Sequence, residues 1–208
     1  MEIPYNKIYD FIVKRCINLN IDESHAVKHS MDVLKYSHKI VNDEIKNNPE
    51  QNLNEKIIYT SSMLHDMCDN KYMNEKEGLY DINLFLKNLD YIDEEIEYIL
   101  KIIGSMSYSK VKKNGFPKLD KYMKEYHIVR ESDLLAGYDI ERCIVYGMIG
   151  RDFSYKESFI ATKELYAKRM AKQIEDKLYT TNWALNEAYL LDKENRIRLL
   201  ELEKLIFN

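Results

Sequence analysis

The chain has 208 residues, enough for one substantial domain and short for two. Hydrophobic residues at 45% and charged residues at 32% describe an ordinary folded protein. A net charge of -4 makes it a poor candidate for nonspecific nucleic-acid binding, although it leaves room for a local basic pocket.

Six Gly and three Pro are few, which argues for long helices over a turn-rich sheet. Ile8, Phe11, Ile12 and Ile17 mark a first amphipathic helix. Asp22 is placed to cap a second helix over 23–45, with Ala26, Val33, Leu34 and Val41 as its apolar positions. The Pro-containing stretch 47–52 reads as a loop, and a third helix over 55–66 ends on His65-Asp66. After a polar loop at 67–74, shorter helices are predicted at 75–88 and 94–106. Gly115 and Pro117 suggest an irregular stretch over 107–117. Helices resume at 120–135 and 140–149. Ser154 and Glu157 form a capping box that opens a helix to about 176, and Thr181 can cap a last helix running to 206. There is no alternating strand pattern and no repeat, linker or composition break. The expected fold is all-α, a single domain over 1–208 whose last helices, 154–207, pack on the rest.

Cys16, Cys68 and Cys143 are isolated, which suggests reduced thiols in a cytoplasmic compartment. Glu2, Asp10 and Lys14 interrupt any apolar signal core. No stretch approaches the ~18 apolar residues needed to span a bilayer.

The chemistry-bearing residues are scattered. His25 and His29 are four apart and share a helix face, whereas His38 falls about half a turn out of phase with His29. His65 and Asp66 diverge by ~100° on a helix, yet both can reach one ion at a helix end. Asp69 adds an acid within a turn, or is a solvated loop residue. Asp133 sits among apolar neighbours and is expensive to bury unless paired or metal-bound; an exposed helical Asp is the alternative. Two imidazoles and two carboxylates suit a hard or borderline divalent cation able to activate water against a phosphate ester.

The run Ser24-His25-Ala26-Val27-Lys28-His29, then Leu64-His65-Asp66, then Glu131-Ser132-Asp133, resembles the HD-domain metal-dependent phosphohydrolase superfamily. The resemblance covers about 21–139. It is closest to the small stand-alone HD hydrolases, in which HD is followed by a further Asp and Lys, as in Asp69 and Lys71. The segment from Ile103 to Lys110 also looks like that subgroup. One departure is Ala26, where many small members carry an Asp. The resemblance implies an all-α bundle with a central metal held by His29, His65, Asp66 and Asp133. Members use Mn, Mg, Co, Ni or Fe, and zinc also occurs. No histidine lies between Met67 and Tyr126, which favours one divalent ion over two and weakens the di-iron oxygenase branch.

The expected activity is hydrolysis of a small phosphate ester, a nucleoside tri- or monophosphate, by metal-activated water. Asp69, with His25 beside it, is the candidate for orienting or deprotonating that water or protonating the leaving group. Lys71 and Lys110 are candidate phosphate binders, and Lys112 and Lys113 are further ones unless that lysine cluster is a solvated loop. Arg130 either binds phosphate or pairs with Glu131. Tyr72 and Tyr108 either stack on a base or pack. The alternatives are a degenerate HD module that binds a nucleotide or protein without catalysis, and a helical interaction domain whose last two helices form an oligomer contact.

Overall fold

The computed structural model describes residues 2–22 and 25–207. Ten α-helices follow in order: α1 (Tyr5–Leu19), α2 (Val27–Asn47), α3 (Glu55–Leu64), α4 (Glu75–Lys87), α5 (Asp93–Ser105), α6 (Tyr108–Asn114), α7 (Met123–Ala136), α8 (Ile140–Gly150), α9 (Tyr155–Lys168) and α10 (Asn182–Phe207). No strand occurs among the described residues, so the fold is all-α as expected. None of their helices is long and apolar enough to cross a membrane. The three cysteines are free.

Helix α3 is the axis of the bundle. Every residue from Ile57 to Leu64 is buried, because α1, α2, α5 and α7 all pack on it. A helix enclosed on all sides must satisfy its own polar side chains. Thr60 pairs with the Tyr91 hydroxyl at 2.7 Å, and Ser62 donates to the Ile58 carbonyl at 2.8 Å while meeting Ser37 Oγ at 2.6 Å. Asn54 caps the helix by accepting from the Ile57 N–H at 3.1 Å.

Several boundaries differ from the sequence reading, each for a physical reason. The buried stripe of α1 is Ile8, Ile12 and Cys16, spaced by four, which leaves Ile17 69% exposed. Helix α2 begins at Val27 with Ala26 as its cap residue, so His25 precedes the helix. The predicted start at 23 lies outside the described residues. The stretch 107–117 contains α6: Val111 buries its one apolar face, and Gly115, at φ 74°, ends the helix instead of dissolving it. Asp120–Tyr122 is a 3-10 turn that leads into α7. Helix α9 stops at Lys168, eight residues early. Arg169 leaves helical geometry at φ -128°, which buries Met170 and Gln173, and Gln173 accepts from the Tyr179 hydroxyl at 2.6 Å.

The C-terminal helices are tied to the rest by buried polar contacts. Glu131, 0% exposed, accepts from the backbone N–H groups and hydroxyls of Thr180 and Thr181 at 2.6–3.1 Å. Asn195 on α10 donates to the Tyr138 carbonyl at 2.6 Å. Helices α8 and α9 cross closely at Gly147, where a Cβ would meet Ser158 Oγ at 2.7 Å.

Candidate functional site

Four side chains meet where α2, α3 and α7 converge. His29 lies in the first turn of α2, His65 follows the last residue of α3, Asp66 is next in the turn, and Asp133 is in the last turn of α7. The helix end orients His65. The Ser62 carbonyl has no partner within the helix and accepts from His65 Nδ1 at 2.8 Å. That contact turns Nε2 toward the cluster.

The donor atoms are closely spaced. His29 Nε2 and His65 Nε2 are 3.2 Å apart. Asp133 Oδ1 lies 3.3 Å from His29 Nε2 and 3.6 Å from His65 Nε2. Asp66 Oδ2 lies 3.5 and 3.3 Å from the same two nitrogens. His29, His65 and Asp133 each offer a ligand atom within 4.8 Å of the others, a group able to hold a metal ion. Donors about 2.1 Å from one ion stand roughly 3.0–3.4 Å apart, so this spacing fits a single cation. Asp66 Oδ2 is buried without a hydrogen-bond partner, and so is His29 Nδ1. An orphaned carboxylate oxygen pointing at two imidazoles fits a missing positive charge.

The electrostatics follow from burial and crowding. Burial first, then the Arg142 charge, push His29 down to about 4. Burial would lower His65 too, but Asp66 and Asp133 outweigh it and raise His65 to about 9. Burial opposes ionisation of both carboxylates, yet both stay ionised. The His29 hydrogen bond and the His65 charge hold Asp133 at about 2, and chiefly His65 holds Asp66 well below the usual range.

The cluster opens into a cavity of about 520 Å³. His25, Asp69, Lys71 and Lys110 line it, as the sequence reading expected. His25 gets there by a different route: its turn brings the ring to 6.4 Å from that of His29, not a shared helix face. The Lys71 ammonium, which can only donate, lies 2.9 Å from His25 Nε2. Nδ1 therefore carries the proton, 3.2 Å from the Tyr72 oxygen, while the Tyr72 hydroxyl donates to Asp22. This chain orients Lys71 and keeps His25 neutral; burial lowers its pKa in the same sense. Asp69 is oriented by accepting the Lys71 backbone N–H at 2.9 Å. Lys110 pairs with Glu75 and donates to the Gly104 carbonyl at 2.7 Å.

Arg130 is a correction as a substrate-binding residue. It is 1% exposed, lies outside the cavity lining, and donates to the Leu178 carbonyl and to Glu131 at 3.3 Å. An arginine this deep anchors the C-terminal segment and cannot reach a ligand. Tyr72 is engaged through its hydroxyl, and the Tyr108 ring is covered by Arg169 at 4.6 Å, so neither ring offers an open face of the kind a stacked base needs.

Sequence reasoning missed the opposite wall, where Arg142, Tyr146, Arg151 and Arg169 line the cavity. The only signal was Arg142 and Tyr146 four apart on a helix, which an ordinary solvated face also produces.

No family model matches the chain, and no curated protein matches it. A crystal structure of a protein from Lactobacillus plantarum, a structural-genomics target, superposes with a TM-score of 0.71. It covers 98% of this chain and 97% of that one at 17% sequence identity, a likeness of fold alone.

Proposed function

We propose that this chain is a metal-dependent phosphohydrolase of the HD type, holding one divalent ion and hydrolysing a small phosphate ester of the nucleotide class. The observation that carries the reading is the convergence of two imidazole nitrogens and two carboxylate oxygens within 3.2–3.6 Å of one another's imidazole or carboxylate partners, at the floor of a cationic cavity. His29, His65, Asp66 and Asp133 would hold Mn, Mg, Co or Ni. Such an ion supplies Lewis acidity toward a phosphoryl oxygen and a bound water of lowered pKa.

The remaining work falls to the chain's own side chains. Asp69, fixed at the cavity edge by the Lys71 N–H, takes a proton from the attacking water or returns one to the leaving oxygen. Lys71, aimed by His25, meets the negative charge of the phosphoryl group. His25 positions Lys71 and is not itself the proton carrier, since its Nε2 already accepts from that ammonium.

The test is a panel of nucleoside tri- and monophosphates incubated with the purified protein and each of the four metals, with all phosphate products resolved. Metal content is measured in parallel. Turnover is expected with at least one metal and is lost in Asp66→Ala and His65→Ala. A folded, metal-loaded protein that binds nucleotides without turnover would instead be a non-catalytic HD module. Activity retained in metal-free Asp66→Ala would end the metal mechanism.

A further inference from the structure

The wall opposite the cluster carries charge that a single phosphate would not balance. Lys71, Arg142, Arg151 and Arg169 line it. Among the described residues, Lys71, Arg151 and Arg169 make no ion pair; they rest on aromatic faces instead. Lys71 and Arg151 each lie 5.4 Å from the centre of the Tyr146 ring, and Arg169 lies 4.6 Å from that of Tyr108. A ring face holds a cation in place without neutralising it. The four cations also close on a common space. Burial pushes the Cys143 thiol up, while Arg142, Arg169 and Lys71 all pull it down, and Arg142 acts on His29 as well.

The lining contains five Lys or Arg and four Asp or Glu side chains. Lys110 and Glu75 neutralise each other, and a dication would offset Asp66 and Asp133. Asp69 offsets one of the four cations left, so three positive charges remain. A phosphate monoester brings at most about two negative charges near neutral pH, whereas a triphosphate chain brings about four. A cavity of about 520 Å³ lies within the range of small-ligand sites.

We infer that this wall is a polyphosphate subsite and that the substrate is a nucleoside triphosphate whose phosphate chain runs from the cluster to Arg151 and Arg169. The word substrate rests on the hydrolase reading above; the subsite does not. Arginine forks suit successive phosphate groups because each can bind two oxygens at once.

The test is calorimetric binding of inorganic tripolyphosphate and orthophosphate to the full-length protein, as purified and again in chelator. Tripolyphosphate is expected to bind about a hundredfold more tightly than orthophosphate, since each added charged contact contributes roughly tenfold. Arg151→Gln with Arg169→Gln should reduce that ratio to within about tenfold, while Arg151→Lys with Arg169→Lys retains part of it. Both arginines are exposed, and Arg151→Gln alone gives a second reading at smaller amplitude. Equal affinity of the wild type for the two anions would overturn the inference, as would a double Gln variant that binds tripolyphosphate like the wild type. The two ideas fail separately. Arginine-dependent tripolyphosphate binding without turnover of any nucleotide would remove the hydrolase and keep the subsite. Hydrolysis of monophosphates with no chain preference would do the reverse.

Discussion

Replacing Glu131 with Ala should be among the most damaging single changes in this protein, although Glu131 touches no ligand. Its carboxylate is 0% exposed and accepts from two backbone N–H groups and two hydroxyls at 2.6–3.1 Å, with Arg130 at 3.3 Å. Truncation leaves a buried guanidinium without its counter-charge and the Thr180 and Thr181 N–H groups without an acceptor. Removing one member of a buried pair costs about 3–5 kcal/mol. Counting the bonds singly, at about 1.5–3 kcal/mol for each charged contact, gives more. The smaller figure is the better guide, because both hydroxyls can turn to new partners. Glu131→Gln keeps the volume and one acceptor oxygen, but its amide group faces an N–H that cannot accept, so roughly half the cost is expected. Urea denaturation reads the difference: with a slope of about 2 kcal/mol per molar, the Ala variant's midpoint moves by about 2 M. A loss below about 1 kcal/mol at unchanged slope would refute the idea that this carboxylate clamps α10 to α7.

Three further outcomes are expected. His65 is raised to about 9 in the folded state from 6.5, so its stabilising contribution is complete below pH 6.5 and disappears as pH rises through 9. In chelator the melting temperature should therefore fall across that window, and His65→Gln should flatten the profile; an unchanged slope in that variant would count against the assignment. Metal binding requires neutral imidazoles, and His29, near 4, is already neutral. Close to one proton should thus leave per ion at pH 6, as read by calorimetry in two buffers of different ionisation enthalpy; none released would contradict the pairing of His65 with Asp66. Gly147→Ala would press a Cβ to 2.7 Å from Ser158 Oγ and 2.8 Å from its Cβ, so about 1–3 kcal/mol of stability should be lost. Since α8 and α9 carry Arg142, Arg151 and Arg169, the same variant should weaken tripolyphosphate binding, and a melting curve identical to wild type would show that the crossing can relax.

The helices were legible because their apolar spacing survives in the folded state: Ile8 and Ile12 on α1, and Val33 and Val41 on α2, are all buried. What misled was local context that only tertiary contacts decide. His25 was read on a helix that starts two residues later, because Ala26 and not Asp22 supplies the first capping position. Arg130 looked like a phosphate ligand because sequence cannot tell an arginine facing Glu131 and Leu178 from one facing a cavity. The Gly115–Pro117 pair was read as dissolving a segment whose helix it merely ends. Arg151 and Arg169 sit at helix ends, where charged residues are commonplace. Only the meeting of α8, α9 and α6 turns them toward one space.

The residues of the cluster come from positions 29, 65–66 and 133, so the three helices that supply them must already be docked before the last donor arrives. Such a site cannot template the early steps of folding, whose barrier is crossed while contacts this distant in sequence are still costly to close. Its influence falls on the reverse path. A cation shared by α2, the end of α3 and α7 would have to lose a donor before any of those helices could part, so loading should lengthen the lifetime of the native state while leaving the refolding rate nearly unchanged. The cluster would then act as a kinetic latch as well as a reaction centre, and how quickly the protein sheds its ion would set how long it survives heat or proteolysis.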